Sequence, residues 1–241
     1  MKNQYVGDFK DYLKYGILRG LANEGGLQIN VCWMLTENDD SRHGDDLRHL
    51  GNRRAWQDFD RPLFEALHRI VCMEADRRVV RIRDLNIVPR GTFFEEVLTD
   101  DRSTRDTFFE GFRSQRNEAD LVFFDPDVGI ERRSTPQPGR KKSSKYVYWK
   151  ELRECFEAGH SLMVFQFFLT KPNRTQVEER FLEFGNRLLI SHQMLALSTV
   201  SNVVFYLIPQ ECAIHDIRRT AEAIQKSWCP YIELLEWLSA D

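Results

Sequence analysis

The run Leu121-Val-Phe-Phe124 places four apolar residues in succession and ends at Asp125-Pro126-Asp127. An unbroken apolar run of strand length belongs to a strand covered on both faces, and such strands build parallel sheets between two helix layers. Pro126 has no N–H and a fixed φ, so the hydrogen-bond ladder stops there and the Asp125 carboxylate is left at the edge of the sheet. In open parallel sheets that edge is where ligands collect.

The rest of the chain fits the same architecture. Phe9, Leu13, Ile17 and Leu21 are four apart, which predicts an amphipathic helix over 8–22 with Asp8 as its N-cap. Short β-branched and aromatic runs predict strands at 29–35, 78–83, 121–124 and 161–168. Helical spacing predicts helices at 63–71, 93–98, 102–116, 148–158 and 174–184. Two strand-like runs, 188–196 and 202–208, have no helix between them and are expected to pair as an antiparallel hairpin. Helices over 212–227 and 231–239 then end the sequence. The expected fold is therefore α/β and Rossmann-like, a mostly parallel sheet with a C-terminal antiparallel hairpin and helices on both faces. One domain is expected over 1–241, with an N-terminal helical segment at 1–24 and a mobile basic loop at 132–147.

Composition narrows the function classes. A formal charge of -3 over 241 residues argues against a surface wrapped all over by nucleic acid, but leaves room for a local basic patch. Five scattered cysteines, never in a C-x-x-C pair, argue against a disulfide framework or zinc ribbon and read as small buried hydrophobes. No stretch approaches the roughly 18 apolar residues that span a bilayer, and no signal-peptide core is visible. The expected location is the cytoplasm.

Three readings of the acidic strand end stay open. Asp125 could simply cap the strand, since Asp-Pro commonly opens turns. Asp125, Asp127 and Glu131 could be oxygen ligands for Mg²⁺ or Mn²⁺ in a phosphodiesterase or nuclease. Third, the carboxylate could orient a target amine in methyl transfer, with no metal needed.

The segment Gly7-Asp-Phe-Lys-Asp-Tyr-Leu-Lys14 and the element Phe124-Asp-Pro-Asp127 carry a resemblance. Both resemble, in sequence and in order, motifs of the bacterial large-subunit ribosomal RNA adenine methyltransferases, where the second is Asp-Pro-Pro followed by an aromatic. The resemblance implies S-adenosylmethionine as cofactor and an exocyclic amine as acceptor. By it, Asp125, Pro126 and Asp127 are the catalytic strand end. Asp8, Asp11, Lys14, Thr36 and Asp39 line the cofactor side. The chain departs from that pattern in three ways. The first strand is not followed by a glycine-rich turn, Asp127 replaces a proline, and Val128 replaces the aromatic. Tyr146, Tyr148 or Phe167 could supply the ring that stacks on a flipped base.

Arg132, Arg133, Arg140, Lys141, Lys142 and Lys145 put six basic residues on the loop that leaves this site. They are either a solvated surface or a guide for a phosphate backbone. With Tyr146, the residues Arg140, Lys141, Lys142 and Lys145 are the candidate substrate contacts, and nucleic acid is the expected partner. A protein of this fold that binds without catalysis is the remaining alternative.

Overall fold

A computed structural model describes residues 1–115 and 118–237. In chain order it contains α1 (Phe9–Asn23), β1 (Ile29–Cys32), α2 (Arg53–Trp56), α3 (Arg61–His68), α4 (Val80–Asp84), β2 (Gly91–Phe94), α5 (Arg102–Gln115) and β3 (Leu121–Phe124). Then follow β4 (Gly129–Ile130), β5 (Tyr146–Val147), α6 (Trp149–Glu157), β6 (Ser161–Phe167), α7 (Arg174–Leu188), β7 (Met194–Thr199), β8 (Val203–Ile208), α8 (Ile214–Ser227) and β9 (Ile232–Trp237).

Seven strands form one sheet in the order β2-β1-β3-β6-β8-β7-β9. The first four pair in parallel, β8 runs antiparallel to β6 and β7, and β9 runs antiparallel to β7. This is the expected Rossmann-like α/β sheet with its antiparallel end. β4 and β5 make a separate two-stranded ribbon.

Two apolar cores explain the unbroken run in β3. Leu121 and Phe123 join side chains of α1, α3 and α8 on one face, while Val122 and Phe124 join those of α5, α6 and α7 on the other. All four are fully buried, and each side chain of this size contributes about 1.5–3 kcal/mol on burial.

The helix α1 is more deeply buried than an amphipathic stripe implies. Every residue from Asp11 to Leu18 is buried, so its polar side chains must find partners inside. The Asp8 side chain accepts from Asp11 N–H at 2.8 Å, the expected N-cap.

Four expected elements differ. The predicted strand 78–83 is the helix α4, because Val79 and Ile82, three apart, turn one face inward while Arg81 and Arg83 pair with Glu74 and Glu95. The predicted helix 93–98 is the end of β2, at Phe93 and Phe94, and the extended loop after it, where Val97 makes an isolated parallel bridge with Leu35. The adjacent phenylalanines serve opposite sheet faces, Phe93 stacking on Trp33 at 4.8 Å and Phe94 meeting Phe108 at 4.9 Å. The predicted strand 188–196 begins only at Met194. Before it, α7 runs through to Leu188 and ends at Leu189, whose φ of 56° is left-handed. The predicted helix 231–239 is β9 over its described part, since Leu234 packs on one core and Leu235 and Trp237 on the other; Leu238 and Ser239 lie outside the described residues. Arg116, at the end of another predicted helix, also lies outside them.

None of the five cysteines is in a disulfide, but only Cys32 and Cys155 are buried; Cys72, Cys212 and Cys229 are exposed, against the expectation of small core residues. Among the described residues no helix is long and apolar enough to cross a membrane.

Candidate functional site at the switch point

The chain leaves β1 toward β2 on one side and β3 toward β6 on the other. The crevice between the carboxyl ends of β1 and β3 is therefore the topological switch point of the sheet. Asp125 stands there, its N–H donated to Cys32 O at 3.0 Å.

The Asp125 carboxylate is buried and paired. Lys14 Nζ lies 2.7 Å from Asp125 Oδ2 and 2.5 Å from Asp11 Oδ1, so one ammonium bridges the helix α1 and the strand end. Asp11 and Lys14 are one turn apart, as the spacing predicts. Burial works against the Lys14 charge, but Asp11 and Asp125 outweigh it and hold its pKa well above the ordinary lysine value. Asp11 goes the other way: burial pushes its carboxyl up to about 7, and the nearby Asp8 and Asp125 charges add to this against the pull of Lys14. Burial raises Asp8 as well.

Asp127, two residues on, has a different cation. The Met1 amino nitrogen lies 2.8 Å from Asp127 Oδ1 and donates to the Asp125 carbonyl at 2.8 Å. Thr36 Oγ1 donates to Asp127 Oδ2 at 2.9 Å, and Thr36 N–H donates to the Met1 carbonyl at 2.9 Å. Burial alone would raise Asp127, but the Met1 charge and the Thr36 hydroxyl hold it below the usual carboxylate range. Met1 is 2% exposed and Lys2 4%. The first residues of the chain thus fill the crevice.

The end of β1 shows how the chain manages without a glycine-rich turn. Met34 adopts a φ of 45°, left-handed backbone that non-glycine residues seldom take. Its carbonyl points at the Met1 nitrogen, 3.4 Å away. Beyond it the exposed Asp39 pairs with Lys2 Nζ at 2.8 Å, and that hydrogen bond leads the contacts that lower its pKa.

Of the cofactor-side candidates, Asp8, Asp11, Lys14, Thr36 and Asp39 are joined through Met1 and Lys2 into one network with Asp125 and Asp127. Glu131 is not part of it: its carboxylate accepts from Trp149 N–H at 2.7 Å at the start of α6. Among the described residues no group of three or more His, Cys, Asp or Glu is placed to hold a metal ion.

The basic loop keeps Arg140, Lys141 and Lys142 exposed, with Lys145 and Tyr146 half-buried. Its backbone is tied down, since the Asp100 carboxylate accepts from Lys142 N–H at 2.6 Å and from Ser144 N–H at 2.9 Å. Of the candidate rings, Tyr148 lies under the Arg105 guanidinium and donates to Pro136 O. Tyr146 lies in β5, paired with Gly129. Phe167 ends β6 beside the strand-end loop: its N–H donates to Val128 O at 2.9 Å and its ring carries the Lys10 ammonium at 4.8 Å.

Met1 and Lys2 are the site residues that sequence reasoning missed. Neither periodicity nor a motif marks them; only their charges, set against a surplus of acids, could have hinted at a role.

Comparison with known proteins returns no match: no family model, no curated protein and no solved structure aligns with this chain.

Proposed function

We propose that the protein is an S-adenosylmethionine-dependent methyltransferase acting on an amine of a nucleic acid. One observation carries the reading. The switch-point crevice holds an amino group between the Asp125 carbonyl and the Asp127 carboxylate, with the Lys14 ammonium close by. An anion and a carbonyl around an ammonium are the acceptors that the amino group of the cofactor's amino-acid end requires.

The surroundings support it. Cys32 is in register with Phe94 on one side and with Phe124 on the other, so the ends of β2 and β3 stand two strand spacings apart, roughly 10 Å. At the end of β2 lies a cavity of about 480 Å³ whose lining includes Phe94, Glu96, Val97, Ser103, Thr104 and Phe108. An apolar floor with hydroxyls and a carboxylate at its rim suits the nucleoside half. The parallel sheet with an antiparallel end is the arrangement of the Rossmann-like methyltransferases, though fold alone fixes no chemistry.

Bound there, the cofactor supplies the methyl group. The chain's own residues would do the rest. Asp127 and the Asp125 carbonyl hold the ammonium, and Lys14 holds the Asp125 carboxylate in place to orient the acceptor amine. Phe167 offers a ring to the acceptor base, and Arg140, Lys141, Lys142 and Lys145 steer its phosphates. The absence of any disulfide among the described residues fits a cytoplasmic setting.

Calorimetric titration with S-adenosylmethionine tests the reading. Binding is expected; in a variant with a loosened N-terminus, where Met1 no longer competes for the carboxylate, Asp127→Asn should weaken it about 10- to 100-fold by removing one charge-assisted contact of about 1.5–3 kcal/mol. An absence of heat at millimolar cofactor, in this chain and in a variant with a loosened N-terminus, would overturn it.

A second reading draws on the closure itself. Both strand-end carboxylates are already neutralised by the chain's own cations, as suits a protein of this fold that binds a partner without transferring a group. The metal-dependent phosphodiesterase reading gains nothing from the geometry, because Asp125, Asp127 and Glu131 each serve a different partner.

A further inference from the structure

The segment ahead of α1 has two kinds of contact. Met1 is buried in the crevice, while residues 2–4 are held by loop residues and by Val79, whose N–H donates to Asn3 Oδ1 at 2.8 Å. Lys2 Nζ donates to Glu37 O at 2.7 Å and pairs with Asp39, which is 41% exposed. Gln4 Nε2 reaches Asp39 Oδ1 and the carbonyls of Ser41 and His43, each at 3.2 Å and all exposed. The segment joins α1 through Gly7, whose φ of 82° is left-handed. It can therefore leave the crevice without unmaking the sheet or α1.

What it would leave behind decides what can replace it. With Met1 gone, Asp127 is a buried carboxylate stripped of its cation, and Asp8, Asp11 and Asp125 have only Lys14 among them. An uncompensated buried charge is strongly unfavourable. The incoming ligand must therefore bring an ammonium.

We propose that residues 1–4 are a strap that closes the crevice as an internal competitor of the cofactor's amino-acid end. Opening the strap and binding the cofactor are one exchange, in which one ammonium replaces another on Asp127. The inference rests on reading the crevice as an S-adenosylmethionine site.

The test uses the whole chain, with the methionine methyl groups labelled with carbon-13. Exposed Met73 supplies the solvent-like reference, and Met1 begins among the buried methyls. S-adenosylmethionine is expected to move the Met1 methyl toward the position of Met73. Methylthioadenosine, which lacks the amino-acid end, is expected to leave it in place. Lys2→Ala loosens the strap by removing its contacts to Glu37 and Asp39 and should tighten cofactor binding about tenfold, by raising the population of the competent state. Asp39→Ala, which frees the same lysine from its other end, should act in the same direction.

If the cofactor binds Lys2→Ala no more tightly than the native chain and the Met1 methyl stays where it is, the strap falls and the methyltransferase reading stands. If methylthioadenosine also expels Met1, the ammonium exchange is wrong. If no folded form of the chain binds the cofactor, both readings fall together.

Discussion

Asp11 is the residue whose chemistry differs most from what its neighbours in sequence suggest. Its carboxyl lies inside, one turn from Lys14, and burial raises its pKa from 3.8 to about 7 despite the lysine. The folded chain therefore holds the Asp11 proton more tightly than the unfolded chain does. Its contribution to stability is complete below about pH 4 and is lost as the pH rises through about 7. Asp127 has the opposite sense, because its pKa is lowered: its contribution is present above its ordinary 3.8 and is lost only in more acid solution. The two windows are separate. Buried His49, whose pKa burial lowers to about 4, acts in the opposite sense over the same range, so the test is a difference. Urea unfolding followed from pH 4 to pH 7 should show the native chain losing stability relative to Asp11→Asn. The amide oxygen can still accept from Gly7 N–H, which donates to Asp11 Oδ2 at 3.3 Å. Equal slopes for the two proteins would show that Asp11 ionises as an ordinary carboxylate.

At the scale of elements, α1 is set by what it packs against. An ideal Cβ on Gly16 would lie 2.1 Å from Trp228 Cζ2, and one on Gly20 2.6 Å from Ile224 Cγ1, so α1 and the end of α8 meet at distances that only glycine permits. Gly16→Ala should destabilise the chain by about 1–3 kcal/mol through overpacking, even though alanine is the better helix former. Thermal unfolding measures this, and an unchanged or raised midpoint would mean that Trp228 gives way freely. The same dependence on partners explains which elements were legible in the sequence. β3 was readable to the residue because an unbroken apolar run bounded by Asp-Pro allows only one choice. α4 was not, because an apolar-charged alternation of six residues also places Val79 and Ile82 on one helix face. β2 and β9 are edge strands, and each has only one neighbour in the sheet to stabilise it. Their short aromatic runs fit a helix equally well until that neighbour is known.

Over the whole molecule, the sheet gathers groups that lie far apart along the chain. Lys14 and Asp125 are 111 positions apart, and Met1 and Asp125 are 124 apart. Local spacing could nominate Asp125, Asp127, Asp11 and Lys14 one by one, since each sits on a recognisable turn of helix or strand end. It could not reveal the pairs Lys14–Asp125 and Met1–Asp127, because those exist only once α1 and the segment before it lie across the switch point. The missing glycine-rich turn belongs to the same scale. At the end of β1 the left-handed Met34 turns its carbonyl to the inserted Met1, 3.4 Å away.

The burial of Lys14 extends to the chemistry of the chain in a test tube. An amine-seeking acylating reagent needs both access and an unprotonated nitrogen; Lys14 offers neither, while Lys141 and Lys142 lie open to solvent. Brief acylation of the folded protein should mark the loop lysines and pass over Lys14, with unfolding bringing it into reach. The pattern of modified lysines, read by peptide mass, then reports whether α1 is seated on the strand end.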